Sequence, residues 1–168
     1  IGHCYAHTGE FDLAERYLLE AMDTVPETDK NYNSHRADVL HELAMAEEFK
    51  DDTSEKIIAY LTEAIELLKD EQFAVRVANC RMGLGNAYNN MEKVQEALKN
   101  YQDAAETFEN EYALLNMASA YCNIGNCYIK LKDFEQAERF HEKALKLRIK
   151  YGSHSHISIS YYNMAVLN

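Results

Sequence analysis

Proline occurs once in this 168-residue chain, at Pro26, glycine six times and tryptophan never. So little punctuation excludes an all-β fold of many short strands and turns. No apolar run approaches the ~18 to 20 residues needed to span a bilayer. Cysteine is also scarce. Cys4, Cys80, Cys122 and Cys127 form no C-x-x-C pair, and their spacing suits neither a zinc site nor a disulfide framework. With no N-x-S/T sequon either, reduced thiols in a cytoplasmic setting are expected. Positive charge is short as well: 17 Lys and Arg face 28 Asp and Glu, a formal net charge of −11. That imbalance repels phosphate backbones and anionic lipid, so neither nucleic acid nor membrane is an expected partner of this segment.

What is present favours helix. Ala, Leu, Glu and Lys are abundant, and the hydrophobic share of 47% is enough for a continuous core. The chain starts at Ile1 and ends on Ala165-Val166-Leu167-Asn168. It is therefore expected to be a segment of a longer protein, with cut repeat ends as surfaces for self-association.

The strongest signal is internal repetition. Met82-Gly-Leu-Gly-Asn-Ala-Tyr88, Cys122-Asn-Ile-Gly-Asn-Cys-Tyr128 and Tyr162-Asn-Met-Ala-Val-Leu-Asn168 align without gaps, placing Gly85, Gly125 and Ala165 at intervals of 40. Ile1-Gly2-His3-Cys4-Tyr5 opens on the same phrase, and Leu40-His-Glu-Leu43-Ala44 is a weaker copy. A second pattern follows 12 residues later: Ala14, Leu18, Ala21, then Ala97, Tyr101, Ala104, then Ala137, His141, Ala144. Steps of four and three put each trio on one helical face. Small residues let helices approach closely, while Tyr5, Tyr88, Tyr101 and Tyr128 fill the spaces between. A hairpin with two apolar faces must stack on neighbours to bury both.

These phrases resemble the tetratricopeptide repeat, whose signature reads W-x2-L-G-x2-Y…A-x3-F…A…P. Leu84-Gly85-x2-Tyr88 with Ala97-x3-Tyr101 and Ala104 carry the likeness, as do Tyr121-x2-Ile124-Gly125-x2-Tyr128, Ala137 and Ala144; Pro26 stands at the terminal proline of the first copy. The period is longer than the family's usual 34 residues, and repeat two is degenerate, with Ala44, Glu47 and Ile57 at the small, aromatic and alanine positions. Long repeats of this kind are similar to those of kinesin light chains, of the spindle scaffold that binds G-protein α subunits, and of bacterial Rap and NprR-type regulators. Tyr151 to Ala165, with His154, resembles the light-chain interrepeat phrase, although Ser155 stands where that phrase has proline.

The resemblance implies an all-α, right-handed superhelical solenoid of antiparallel hairpins. Residues 1–168 form a single array, with repeats near 1–29 (partial), 30–70, 71–110, 111–150 and 151–168 (partial). First helices are predicted near 1–8, 33–49, 73–91, 112–131 and 156–168. Second helices are predicted near 11–24, 54–69, 94–109 and 134–150. Turns fall at Gly9-Glu10, Asp51-Asp52-Thr53 and Lys132-Asp133, with Thr53 or Ser54 and Asp133 as caps.

In such arrays the first helices line a concave groove. By that resemblance the peptide-binding face is expected to hold Asn79, Met82, Asn86 and Asn90 in the third repeat. Ser119, Cys122, Asn123, Asn126 and Lys130 follow in the fourth, and Tyr162, Asn163 and Val166 in the fifth. Asparagine costs about 0.6 kcal/mol against alanine in a helix, so its recurrence in register asks for a reason. Its amide can donate and accept, which suits an extended peptide backbone; it can equally bond neighbouring helices to each other. With Lys130 as the one obvious groove lysine of these repeats and Arg81 placed elsewhere, a clamp for chaperone-tail carboxylates is not expected.

Other signals are weaker. His3 and His7 have helical metal spacing but no third ligand. His41-Glu42 starts a zinc-protease phrase that Met45 breaks. Gly83-Leu84-Gly85 lies in a helical pattern without the strand a dinucleotide loop requires. His154 and His156 are assigned to an interrepeat loop. Cys4, Ala87 and Cys127 are equivalent core positions, and Glu142–Lys146 is an i, i+4 pair on a solvated face. No cofactor, metal or catalytic group is expected. The segment reads as a scaffold or adaptor binding a peptide or protein, or alternatively as a peptide-responsive domain controlling an attached DNA-binding, kinase or phosphatase domain.

Overall fold

A computed structural model describes residues 11–24, 26–48, 54–152, 157–158 and 160–161. Among them lie seven α-helices and no strand. They are α1 (Phe11–Thr24), α2 (Tyr32–Glu47), α3 (Ser54–Leu67), α4 (Ala74–Asn90), α5 (Val94–Asn110), α6 (Leu114–Lys130) and α7 (Phe134–Tyr151), with a 3₁₀ turn at Glu71–Phe73. Each helix packs chiefly on the one before and the one after, the contact pattern of a solenoid. The all-α expectation holds, and the observed helix ends fall within two residues of those read from the pattern. The predicted helix at 1–8 and the turns at Gly9-Glu10 and Asp51–Thr53 lie outside the described residues.

From α4 onward the array is metrically regular. Helices α4, α5 and α6 have 17 residues each. Each is joined to the next by three residues, whose middle member is left-handed: Glu92 (φ 60), Tyr112 (φ 55) and Lys132 (φ 62). The amide of Lys93 reaches back to the Tyr88 carbonyl, and that of Glu92 to Asn89; Ala113 to Phe108 and Asp133 to Tyr128 repeat the longer bond. This is the Schellman closure, which satisfies the last carbonyls of a helix. Helix plus link spans 20 residues, so two make the 40-residue period. The excess over the usual ~34 is thus about three residues per helix, close to one extra turn. Asp133 caps α7 as expected, its carboxylate accepting from the Gln136 amide at 3.1 Å.

The glycines explain the register. A Cβ on Gly85 would stand 2.3 Å from the Tyr101 ring, and one on Gly125 would stand 2.7 Å from the His141 ring. Each glycine is a socket for the ring that faces it from the second helix. Ala97, Ala104, Ala137 and Ala144 are fully buried, and so are Ala14 and Ala64. Ala21 departs from its expected place on that buried face and is exposed; among the described helices α1 packs against α2. Phe140 joins Tyr128 and Tyr121 between α6 and α7, with ring centroids 5.6 and 5.7 Å apart. Beyond α7, the buried Arg148 donates to the Ser160 hydroxyl at 2.9 Å and ties the helix to the next segment.

Candidate functional site

The first helices α2, α4 and α6 are stitched to one another by polar side chains. Arg76 of α4 donates to the Ser34 hydroxyl and carbonyl of α2 at 2.8 and 2.9 Å and pairs with Asp38. Asn116 of α6 donates to Asn79 of α4 at 3.0 Å. Lys130 reaches the Asn89 carbonyl at 3.3 Å, with Glu92 at 3.9 Å. Arg81 points away from this face, to Asp103 of α5 at 2.8 Å, as expected.

Between α2 and α4 the surface opens into a cleft of about 260 Å³. Asn79, Met82 and Asn86 form one wall, and His41, Met45 and Glu48 form the other. Ala44, Ile57, Leu61 and Gly83 also line it. A smaller cleft of about 160 Å³, sharing His41 and Asn79, continues along the same seam past Asp38 and Arg76. Three of the four third-repeat residues expected on the groove, Asn79, Met82 and Asn86, are thus brought together, without Asn90. The sequence reading missed the α2 wall. The offset of 41 between Ala44 and Gly85 carries Met82 onto His41, Asn86 onto Met45 and Asn89 onto Glu48, so the register held the information. Loss of the motif in repeat two hid it.

Within the cleft Asn86 is held by its own protein. The Tyr101 hydroxyl donates to its carbonyl oxygen at 2.8 Å, and its amide nitrogen donates to a Glu48 carboxylate oxygen at 3.2 Å. Burial, then the neighbouring Cys127 and Glu48, raise the Tyr101 phenol well above its ordinary range, which keeps it a donor. Of the remaining residues on the expected face, Asn90, Asn126 and Lys130 are exposed and Ser119 and Asn123 half-buried. Cys122 is buried, at 5% exposure. Tyr162, Asn163 and Val166 lie outside the described residues, as do His3, His7, Cys4, His154 and His156.

The described thiols, those of Cys80, Cys122 and Cys127, are buried. Burial pushes Cys80 up to about 11, against the opposing charge of Arg76, and also pushes Cys127 up to about 11. Among the described residues no group of three His, Cys, Asp or Glu side chains is placed to hold a metal ion. None of their helices is long and apolar enough to cross a membrane.

Comparison with known proteins agrees with this fold. Response regulator aspartate phosphatase E of Bacillus subtilis is 32% identical over 80 residues, 46% of this chain and 21% of that protein. The chain spans about a fifth of the length of the curated relatives it matches. In solved structures, BtubC (BKLC) from P. vanneervenii superposes with a TM-score of 0.84 at 20% identity, covering 99% of this chain and 68% of that one. A Rap protein complexed with competence and sporulation factor gives 0.79 at 17% identity, with 99% and 46% coverage. These low identities establish the likeness of fold. The family model of the tetratricopeptide repeat matches residues 73–150 and 116–168, together more than half the chain. With its glycine sockets, paired alanines and stacked hairpins, this chain belongs to the tetratricopeptide-repeat family.

Proposed function

We propose that the chain is a protein-interaction module that takes an extended peptide, or a peptide-like segment of a partner protein, along the concave face of its first helices, and that it acts as a scaffold or adaptor in the cytoplasm. The observation that carries this reading is the cleft between α2 and α4, where Asn79, Met82 and Asn86 face His41, Met45 and Glu48. Exposed Asn126 and Lys130 extend the same face onto α6. Amides spaced along a groove suit a peptide backbone, and thioethers between them adapt to varied side chains. The net charge of −11 favours neutral or basic partners over nucleic acid.

Asn126 is the cleaner test residue, because removing Asn86 would also leave the Tyr101 hydroxyl without its acceptor. Asn126→Ala is expected to weaken capture of partner peptides roughly tenfold with helical content unchanged by circular dichroism. Equal affinity of Asn126→Ala and wild type would remove the fourth repeat from the groove. The similarity to a phosphatase that by its name acts in response regulation favours a second reading, a peptide-responsive domain controlling an attached effector. Spin labels on α1 and α7 that change separation when peptide binds would support it. An unchanged separation would favour the plain scaffold.

A further inference from the structure

The cleft between α2 and α4 has a polarity that a general backbone-binding groove does not require. We infer that it is an anchor pocket for one basic side chain, a lysine or arginine of the bound peptide, with Glu48 as the counter-charge. The inference rests on the groove reading above and adds the chemistry of the residue that the groove selects.

Three observations carry it. Glu48 is half-buried on the cleft wall, and its carboxylate is aimed by a two-bond relay: Tyr101 holds Asn86, and Asn86 donates to one Glu48 oxygen. Using one lone pair this way fixes the carboxylate and leaves acceptor capacity for a cation. Arg76, the one Lys or Arg among the described residues lining either cleft, is already committed, because it is neutralised by Asp38 and held by Ser34. Ten residues of helix, ~15 Å, separate Asp38 from Glu48, so Arg76 leaves the Glu48 end of the cleft anionic. Finally, the approach to Glu48 is apolar. Met45 stays 39% exposed opposite Met82, over Leu61 and Gly83. A lysine or arginine lays its methylene stem on such a surface and presents its charge at the end. A peptide amino terminus has no stem for the thioethers, and an acidic side chain would face Glu48.

The experiment is a selection of random linear dodecapeptides on the 168-residue chain, alongside Glu48→Gln and Glu48→Lys. Melting curves of all three proteins confirm equal folding; Gln keeps the shape and the bond from Asn86. Peptides from the wild type are expected to share one Lys or Arg at a fixed position beside apolar residues. Replacing that residue by norleucine is expected to weaken binding roughly tenfold to a hundredfold on the wild type and little on Glu48→Gln. Selection on Glu48→Lys is expected to turn the shared position to Asp or Glu. Equal norleucine losses on wild type and Glu48→Gln would overturn the pocket. Peptides without a shared basic residue, yet weakened by Asn126→Ala, would overturn the anchor and leave the groove standing. Failure to select any peptide would overturn both.

Discussion

The helices α4 to α7 and the hairpin α2–α3 are built by different rules. In the first region every link has three residues, the middle one left-handed, and Gly85 and Gly125 each receive a ring from the second helix of their own repeat. In α2–α3 the corresponding pair is Ala44 with Leu61, a larger small residue facing a smaller large one, in the same buried cluster. The link from α3 to α4 runs from Leu68 to Phe73 and contains a 3₁₀ turn. Where Tyr88 and Tyr128 stand in the regular repeats, Glu47 is buried, with Lys56 at 3.9 Å. The cleft falls at the seam between these two regions. Uniform repeats stack tightly; a mismatched repeat leaves space and polar groups at its joint.

The largest effect is expected in the regular core. Phe108 is fully buried among residues of α4, α5 and α6, so Phe108→Ala is expected to cost about 3–5 kcal/mol, seen as a lower midpoint in urea unfolding. Because each hairpin contacts only its neighbours, hydrogen exchange should accelerate in α5 and α6 before α2 and α3. Uniform acceleration along the chain would erase the distinction between the regions.

Next comes an exchange of packing rules. Gly85→Ala puts a methyl 2.3 Å from a Tyr101 ring that is only 3% exposed. Overpacking of this kind costs about 1–3 kcal/mol, even after the gain in helix propensity. Adding Tyr101→Leu copies the Ala44–Leu61 pair into the third repeat and is expected to return most of the loss in thermal melts. A double variant no more stable than Gly85→Ala would show that the two regions do not share an interchangeable socket. The double variant also removes the hydroxyl that holds Asn86, so peptide affinity should fall although stability recovers.

Much of this was legible in the sequence, for identifiable reasons. The 40-residue spacing of Gly85 and Gly125 and the alanine trios located the helices because periodic burial leaves periodic composition. The asparagine register pointed to the face of α4 that lines the cleft. The turn at Lys132-Asp133 was legible, but the left-handed conformation of the links was not: Glu92, Tyr112 and Lys132 are residues without turn preference, and only their 20-residue spacing marks them. Nor could a local pattern show that Tyr101 reaches Asn86, or that Arg76 crosses to Ser34 and Asp38, since these bonds join residues far apart in the chain. The Glu48 wall was hidden because repeat two lost the residues by which repeats are recognised.

The regular region is not uniform either, and pH can sharpen that difference. His141 fills the socket that Tyr101 fills one repeat earlier, fully buried, and neither ring nitrogen has a hydrogen-bond partner among the described residues. Burial, and then the charge of Arg148, lower its pKa from 6.5. A depressed folded-state value means the unfolded chain takes up the proton first. The stability is complete above pH 6.5 and is lost as pH falls from there to the folded value, by up to about 1.4 kcal/mol per pH unit. His141→Tyr would remove this loss and give Asn126 a hydroxyl like the one that holds Asn86. Urea midpoints that fall equally between pH 7 and 5 in wild type and His141→Tyr would rule out the histidine as the source.

The smallest effect should come from the links. Tyr112 is left-handed at φ 55 and 83% exposed, so its side chain contributes almost no burial to offset the clash of its Cβ with the backbone. Glycine removes that clash, worth about 1–2 kcal/mol, and returns part of it as extra freedom in the unfolded chain. Tyr112→Gly is therefore expected to stabilise the chain by roughly 0.5–1 kcal/mol, read as a small rise in melting temperature. The same substitution at Glu92 should gain less, because it also removes the carboxylate near Lys130. Should Tyr112→Gly lower the melting temperature instead, the tyrosine would be stabilising the α5–α6 corner through its ring, and the three links would no longer be equivalent.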